Sequence, residues 1–222
     1  AAGYLSHPGY AALPEAPYRY QEMLGVIWRE NPSCYLQDGE QAVLMAALME
    51  TDNDGRPLID AWIKRSGLTA DAWLEKLFEA TVIPFYHLLC RYGVALIAHG
   101  QNVTLVMKDY VPQRILLKDF QGDMRLVDED FPQAQSLPEQ VKAVTARLSA
   151  DYIIHDLQTG NFVTVLRFIS RLTLQCGVSE TRFYQILAQV LRRYMAAHPD
   201  LAARFAKFDL FKPQIFVVIL NP

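Results

Sequence analysis

The 222-residue sequence has no surplus of positive charge: 21 Lys and Arg stand against 24 Asp and Glu, a formal net charge of −3. That balance excludes a broad polyphosphate-binding face, and nucleic acid with it as a main partner. Cysteine is scarce. Cys34, Cys90 and Cys176 lie far apart, make no Cys-x-x-Cys pair and have no histidines at metal-ligand spacing, so neither a zinc site nor a disulfide framework is expected. Reduced core thiols in a cytoplasmic protein fit this usage. Long hydrophobic runs are missing too: Leu166 to Cys176 is interrupted by Arg167 and Arg171, and Ile215 to Leu220 falls far short of the roughly 20 residues that span a bilayer. A soluble chain with no membrane partner is therefore expected. The N-terminus lacks the basic-then-apolar layout of a signal peptide, and Ala1 in place of an initiator Met points to processing or to a start within a longer chain. No internal repeat is visible.

What is present is enough apolar material to fold: 51% of the residues are hydrophobic and 20% charged, which suits one substantial core or two small ones. Residues 1–92 read as a lead-in followed by helices. Pro8, Pro14 and Pro17 break the first stretch, and regular structure opens near Tyr20 to Trp28. Val43, Leu44, Ala47 and Leu48 recur at helical spacing, which predicts a helix over Gln41 to Glu50 that ends at the turn residues Thr51 to Gly55. That acidic turn imitates half of an EF-hand loop, but Ala61 stands where the bidentate Glu belongs, so calcium is rejected. From Thr69 to Arg91, Trp73, Leu74, Leu77, Phe78, Phe85, Leu88 and Leu89 mark a long helix with Thr69 as N-cap and Gly93 as stop. Pro84 should kink or split it.

Residues 93–128 change period. Val94 to Ala98, Val103 to Lys108, Arg114 to Phe120 and Met124 to Val127 read as strands of a small antiparallel sheet, separated by Gly100, by Asp109 to Pro112 and by Gln121-Gly122. Residues 129–222 return to helices. Ser136-Leu137-Pro138-Glu139 reads as a capping box, and helices are expected over Pro138 to Leu148, Phe162 to Gln175 and Thr181 to His198, with a last extended segment from Pro213 to Asn221. The fold class is α+β: a small antiparallel sheet packed on helices, with a mainly helical C-terminal half.

The densest polar cluster falls within the strands: His99-Gly100-Gln101-Asn102, then Lys118-Asp119-Phe120-Gln121-Gly122 after a hairpin. A hairpin turning around Tyr110 to Pro112 sets Asn102 opposite the neighbourhood of Asp119. Such an Asn and Asp are hard oxygen ligands suited to Mg²⁺ carrying ATP phosphates. The same residues also suit a polar turn whose side chains bond their own backbone.

Gly93 to Asn102, with His-Gly-Gln-Asn at its end, followed by Ile115 to Gly122 with its basic-Asp-aromatic-x-Gly segment, resembles the signature of the NRPS-independent siderophore synthetases, the IucA/IucC family. Leu24 to Pro32, Phe208 to Phe211 and Leu220 to Pro222 extend the resemblance over most of the chain. Members adenylate a carboxylic acid, often citrate or a succinyl derivative, with ATP and condense it with an amine or alcohol. The resemblance implies that His99 and Lys118 are catalytic, with His99 holding the carboxylate near the α-phosphate. It implies that Gln101, Asn102 and Asp119 contact the nucleotide, and that Asn102 and Asp119 ligate Mg²⁺. Ile97 stands where many relatives carry an acid, and Lys118 where they carry an Arg, which keeps the charge and loses the bidentate fork. Other nucleotide-binding elements of the family have no counterpart here. The expectation is therefore a C-terminal, palm-like domain of a longer synthetase, inactive alone, that partners the missing lobes and forms homodimers as such synthetases often do.

Two other classes remain open at this stage: a kinase-like small-molecule phosphotransferase, and a non-catalytic binding or assembly module. Against the first, Gln101 stands where a catalytic Asp is needed, and no Gly-rich loop or strand Lys is present. His87 and His198 read as packing or capping residues, and His155-Asp156 is ambiguous. Arg167 and Arg171, one turn apart, read as a helix's solvent edge or as the lining of an anionic pocket. Arg29-Glu30 reads as an ion pair or a cleft contact. The Asn102-Val103-Thr104 sequon is dismissed, since nothing indicates secretion.

Overall fold

The computed structural model describes residues 2–17, 20–120 and 122–213, so the expected extended segment after Pro213 lies outside the described residues. Among the described residues are nine short strands: β1 (Ala2–Tyr4), β2 (Gly9–Ala12), β3 (Gly25–Trp28), β4 (Glu40–Leu44), β5 (Val94–Leu96), β6 (Val103–Lys108), β7 (Val111–Leu117), β8 (Met124–Val127) and β9 (Ala146–Leu148). The α+β class holds, but the strands divide differently from the single antiparallel sheet read from the sequence. One sheet has the order β1-β7-β6-β4, with β1 parallel to β7; another has the order β5-β8-β9, with β9 parallel to β8; β2 and β3 form a separate hairpin.

The β6–β7 hairpin is tighter than expected. Asp109 (φ 49°) and Tyr110 (φ 63°) both take the left-handed conformation that a two-residue hairpin turn requires, while Val111 and Pro112 already pair with Lys108 and Met107. Val103 faces Leu117, and the Lys118 N–H donates to the Asn102 carbonyl at 3.2 Å. The ladder thus delivers Asn102 beside Lys118, one residue from Asp119. Val103, Leu105, Val106 and Met107 are all buried, because both faces of β6 are covered.

The helical reading from Thr69 to Gly93 is correct in its ends. The Thr69 hydroxyl accepts the Ala72 N–H at 3.2 Å, and Gly93 closes the run at φ 66°. The run is split at Thr81, between Ala70–Ala80 and Val82–His87, and widens to a π-helix over Leu88–Tyr92. Pro84 accounts for the split: it offers no N–H to the Ala80 carbonyl, and its ring crowds that oxygen. Trp73, Leu74, Leu77 and Phe78 of the first piece are fully buried, and Phe78 meets Phe183 edge to face at 5.0 Å. Phe183 belongs to the helix Glu180–Ala197, which Ser179 caps by accepting the Arg182 N–H.

Two expected helices are corrected. Gln41 to Glu50 is strand β4 followed by a 3₁₀ turn over Met45–Met49, because residues 40–44 find a full antiparallel partner in β6. Pro138 to Leu148 is a short helix, Glu139–Val144, after which Ala146–Leu148 pairs with β8. The next helix starts earlier than expected, at Ala150, and runs through a π-helical segment, Gln158–Leu166, into Arg167–Leu172. No helix among the described residues is long and apolar enough to cross a membrane. The β2–β3 hairpin turns apolar side chains outward: Tyr10 is 80% exposed and Ile27 64%.

Candidate active site

The site is built where β5 ends, β6 begins and β7 ends. After β5 the chain makes a tight turn in which the Asn102 N–H donates to the His99 carbonyl at 3.0 Å. Gly100 allows a close backbone approach there: a Cβ would lie 3.2 Å from the Ala46 backbone, tighter than an ordinary contact, and the Ala46 N–H donates to the Gly100 carbonyl. The turn thus satisfies its own backbone and directs the Asn102 side chain into a crevice.

Asn102, Lys118, Asp119 and Asp123 line that crevice together with Ile97, Ala98, Phe85 and Phe120. The buried Asn102 donates its amide N–H to Asp123 Oδ2 at 2.6 Å, and His99 Nε2 lies 3.6 Å from the same oxygen. Asp123 therefore holds Asn102, with His99 close by. Asp119, left-handed at φ 60°, uses both of its oxygens. Oδ1 accepts from the Arg29 guanidinium, and Oδ2 faces Lys118 Nζ at 3.4 Å. Arg29 Nε donates to His7 Nε2 at 2.8 Å, and the same histidine nitrogen lies 3.4 Å from Asp119 Oδ1, so His7 orients the arginine beside the acid. Gln101 is exposed on the turn, and neither it nor His99 lines the crevice.

Among the described residues, no three His, Cys, Asp or Glu side chains converge as a metal-holding group. The oxygens available to a cation are those of Asp119, Asp123 and the Asn102 amide. Such a sparse, hard set suits Mg²⁺, which keeps waters and takes one or two carboxylates with substrate phosphates, and not a metal caged by protein alone.

Sequence reasoning missed Asp123, which sits in an ordinary Gly-Asp turn, and gave no role to His7. It also missed what packs behind Ile97 and Ala98. Gly160, in the π-helical segment, approaches so closely that a Cβ would lie 3.1 Å from both Ala98 N and Ile97 Cα. The buried Asn161 donates to the Ala98 carbonyl at 3.1 Å. The buried Asp156 carboxyl is pushed up by burial, an effect that Asp123 adds to and that Arg125 and His155 oppose. A glycine and an asparagine in a helical stretch were the available signal, since π-helical widening often accompanies functional sites. His155 Nδ1 pairs with the Thr159 hydroxyl at 2.9 Å. His87 contacts the Tyr194 hydroxyl at 2.6 Å and His198 the Tyr194 carbonyl at 2.9 Å; burial, Arg91 and His198 lower the His87 pKa. Arg167 is exposed and lies over the Phe168 ring, and Arg171 is exposed as well.

The strands thus set a His-Gly-Gln-Asn turn beside Lys118-Asp119. The IucA / IucC family profile matches residues 1–50, and the profile described as "Ferric iron reductase FhuF-like transporter" matches residues 71–222. The chain belongs to the IucA/IucC family of siderophore synthetases and carries its FhuF-like C-terminal region. It is 67% identical to the aerobactin synthase of Escherichia coli over 222 residues, which are 100% of this chain and 38% of that protein. It is 39% identical to the rhizobactin siderophore biosynthesis protein RhbF of Rhizobium meliloti, over 97% of this chain and 36% of that protein. The solved aerobactin synthetase IucC of a hypervirulent Klebsiella pneumoniae superposes with a TM-score of 0.94 at 64% identity, over all of this chain and 40% of that one. The chain thus spans well under half the length of these relatives.

Proposed function

We propose that residues 1–222 are the C-terminal, palm-like lobe of an ATP-dependent synthetase of siderophore biosynthesis. In this reading residues 93–128 supply one wall of the active site, with residues 1–92 and 129–222 supporting it. The observation that carries the reading is the convergence of His99, Asn102, Lys118, Asp119 and Asp123 at the ends of rigid apolar strands. No activated Ser or Cys is needed: a carboxylate oxygen of a citrate- or succinyl-type acid attacks the α-phosphorus of ATP and pyrophosphate leaves. An amine or alcohol then attacks the acyl carbon, AMP leaves, and the nucleophile's proton is lost as the amide or ester forms.

What such chemistry asks of the protein is fixed charge and position. His99 and Lys118 stabilise the carboxylate and the charge that develops at phosphorus. Asn102, with Gln101 at the rim, contacts the nucleotide. The oxygens of Asp119 and Asn102, with Asp123 behind them, fit Mg²⁺, which when bound would neutralise phosphate charge. The outward apolar face of the β2–β3 hairpin suits burial against a further lobe of the same synthetase.

The test is hydroxamate trapping of the acyl-adenylate with a panel of carboxylates, using the complete synthetase chain that contains these residues. His99→Ala and Asp119→Ala should each lower adenylation by about 100-fold or more, the scale of losing one preorganised charge-stabilising group. Full activity in both variants would overturn the site. Residues 1–222 alone should show little turnover, and robust ligation by them would overturn the lobe reading.

A further inference from the structure

Arg29 is 90 residues from Asp119 in sequence, yet its guanidinium takes Asp119 Oδ1, one of the few oxygens in the crevice suited to a divalent cation. Its other edge is held by His7, and Lys118 covers Oδ2. Arg29 and Asp119 are each about one-third exposed, so the pair can open without unpacking the core. We propose that Arg29 is a positioning residue that competes with the divalent cation for Asp119 and passes to the nucleotide phosphates when it is displaced. The proposal rests on the function argued above and adds to it a coupling between metal and nucleotide.

The reasoning is one of charge balance. In the structure two cations, Arg29 and Lys118, face Asp119, while Asp123 is engaged by Asn102 and lies near His99. A cation that takes Asp119 Oδ1 leaves the guanidinium without its counter-charge beside two positive neighbours. Metal alone must therefore bind weakly. A nucleotide brings phosphate oxygens that match the guanidinium fork, so the displaced Arg29 finds a new partner of the same chemistry. Metal and nucleotide then favour one another's binding, and by linkage the effect is reciprocal. His7, by accepting from Nε, restrains the side chain near the crevice through the exchange.

The experiment uses the complete synthetase chain with manganese(II) as probe, free Mn²⁺ being read by electron paramagnetic resonance with and without ATP. Arg29→Gln should bind Mn²⁺ alone about fivefold more tightly, equivalent to ~1 kcal/mol, the upper range for a partly exposed ion pair. Its ATP–Mn²⁺ coupling should fall by a similar factor. Arg29→Lys, which keeps the charge, should stay within about twofold of wild type for Mn²⁺ alone. If Arg29→Gln does not fold, His7→Ala serves, with an expected gain of about twofold. Unchanged or weaker Mn²⁺ binding in the variant used, with Asp119→Asn losing it, overturns the competition while leaving Asp119 as a ligand. Wild-type Mn²⁺ binding by Asp119→Asn would instead overturn the metal assignment beneath it.

Discussion

Gly93 and Gly67 form a natural pair for separating backbone strain from packing. Both end helices in the left-handed conformation, at φ 66° and φ 70°. A Cβ on Gly67 would meet nothing within 4 Å, so Gly67→Ala should cost only the left-handed penalty of an L-residue, about 1 kcal/mol. A Cβ on Gly93 would lie 2.6 Å from Val127 Cγ1 and 2.9 Å from Phe131 Cγ. Neither neighbour can retreat: both are buried, the Val127 N–H donates to the Gly93 carbonyl at 2.8 Å, and the Phe131 ring is covered by the Arg204 guanidinium at 3.6 Å. Overpacking of this kind adds about 1–3 kcal/mol, so Gly93→Ala should cost about 2–4 kcal/mol in all. At this chain length that is roughly 4–16 °C in Tm, against about 2–4 °C for Gly67→Ala. Urea unfolding followed by circular dichroism gives the two values directly. Agreement of the two variants within about 0.5 kcal/mol would refute the claim that the β5 entry is set by contact with β8 and Phe131.

Two further outcomes follow from other contacts. Glu40 accepts from Arg114 and from the Gln37 N–H, and these, with Arg114 foremost, pull its carboxyl down to about 2. A folded pKa below the unfolded value of about 4.3 means that the contribution is present above that value and is lost as pH falls toward 2. Urea midpoints of Glu40→Gln should therefore depend less steeply on pH between 5 and 2 than those of wild type, and parallel slopes would contradict the pairing. Gly160→Ala gains helix propensity of about 1 kcal/mol but presses a methyl on Ala98 and Ile97, so its melting temperature should change little. The shift of the backbone ahead of His99 should lower hydroxamate formation about tenfold, and unimpaired turnover would show that this contact does not place His99.

Much of this protein was readable because it depends on sequence neighbours. Thr69 and Gly93 marked the ends of the split helix, since a cap acts on residues within one turn. Pro84 announced the break, because the lost donor and the clash are local. The hydrophobic runs of β6 and β8 and the His99-to-Asn102 turn were legible on the same grounds. Tertiary pairing overruled local pattern elsewhere. Gln41 to Leu44 carries apolar spacing compatible with a helix, and only the open edge of β6 made it a strand. Ala146 to Leu148 left its expected helix because β8 offered a parallel partner. The site follows the same division: residue types at 99–102 and 118–119 were evident in the sequence. That Asp123 holds Asn102 beside His99, that Arg29 and His7 reach Asp119, and that Gly160 and Asn161 pack against Ala98 were decided by docking of distant segments. Propensities and caps are short-range energies written in adjacent residues, whereas charge pairing and close backbone approach depend on which surfaces meet after folding.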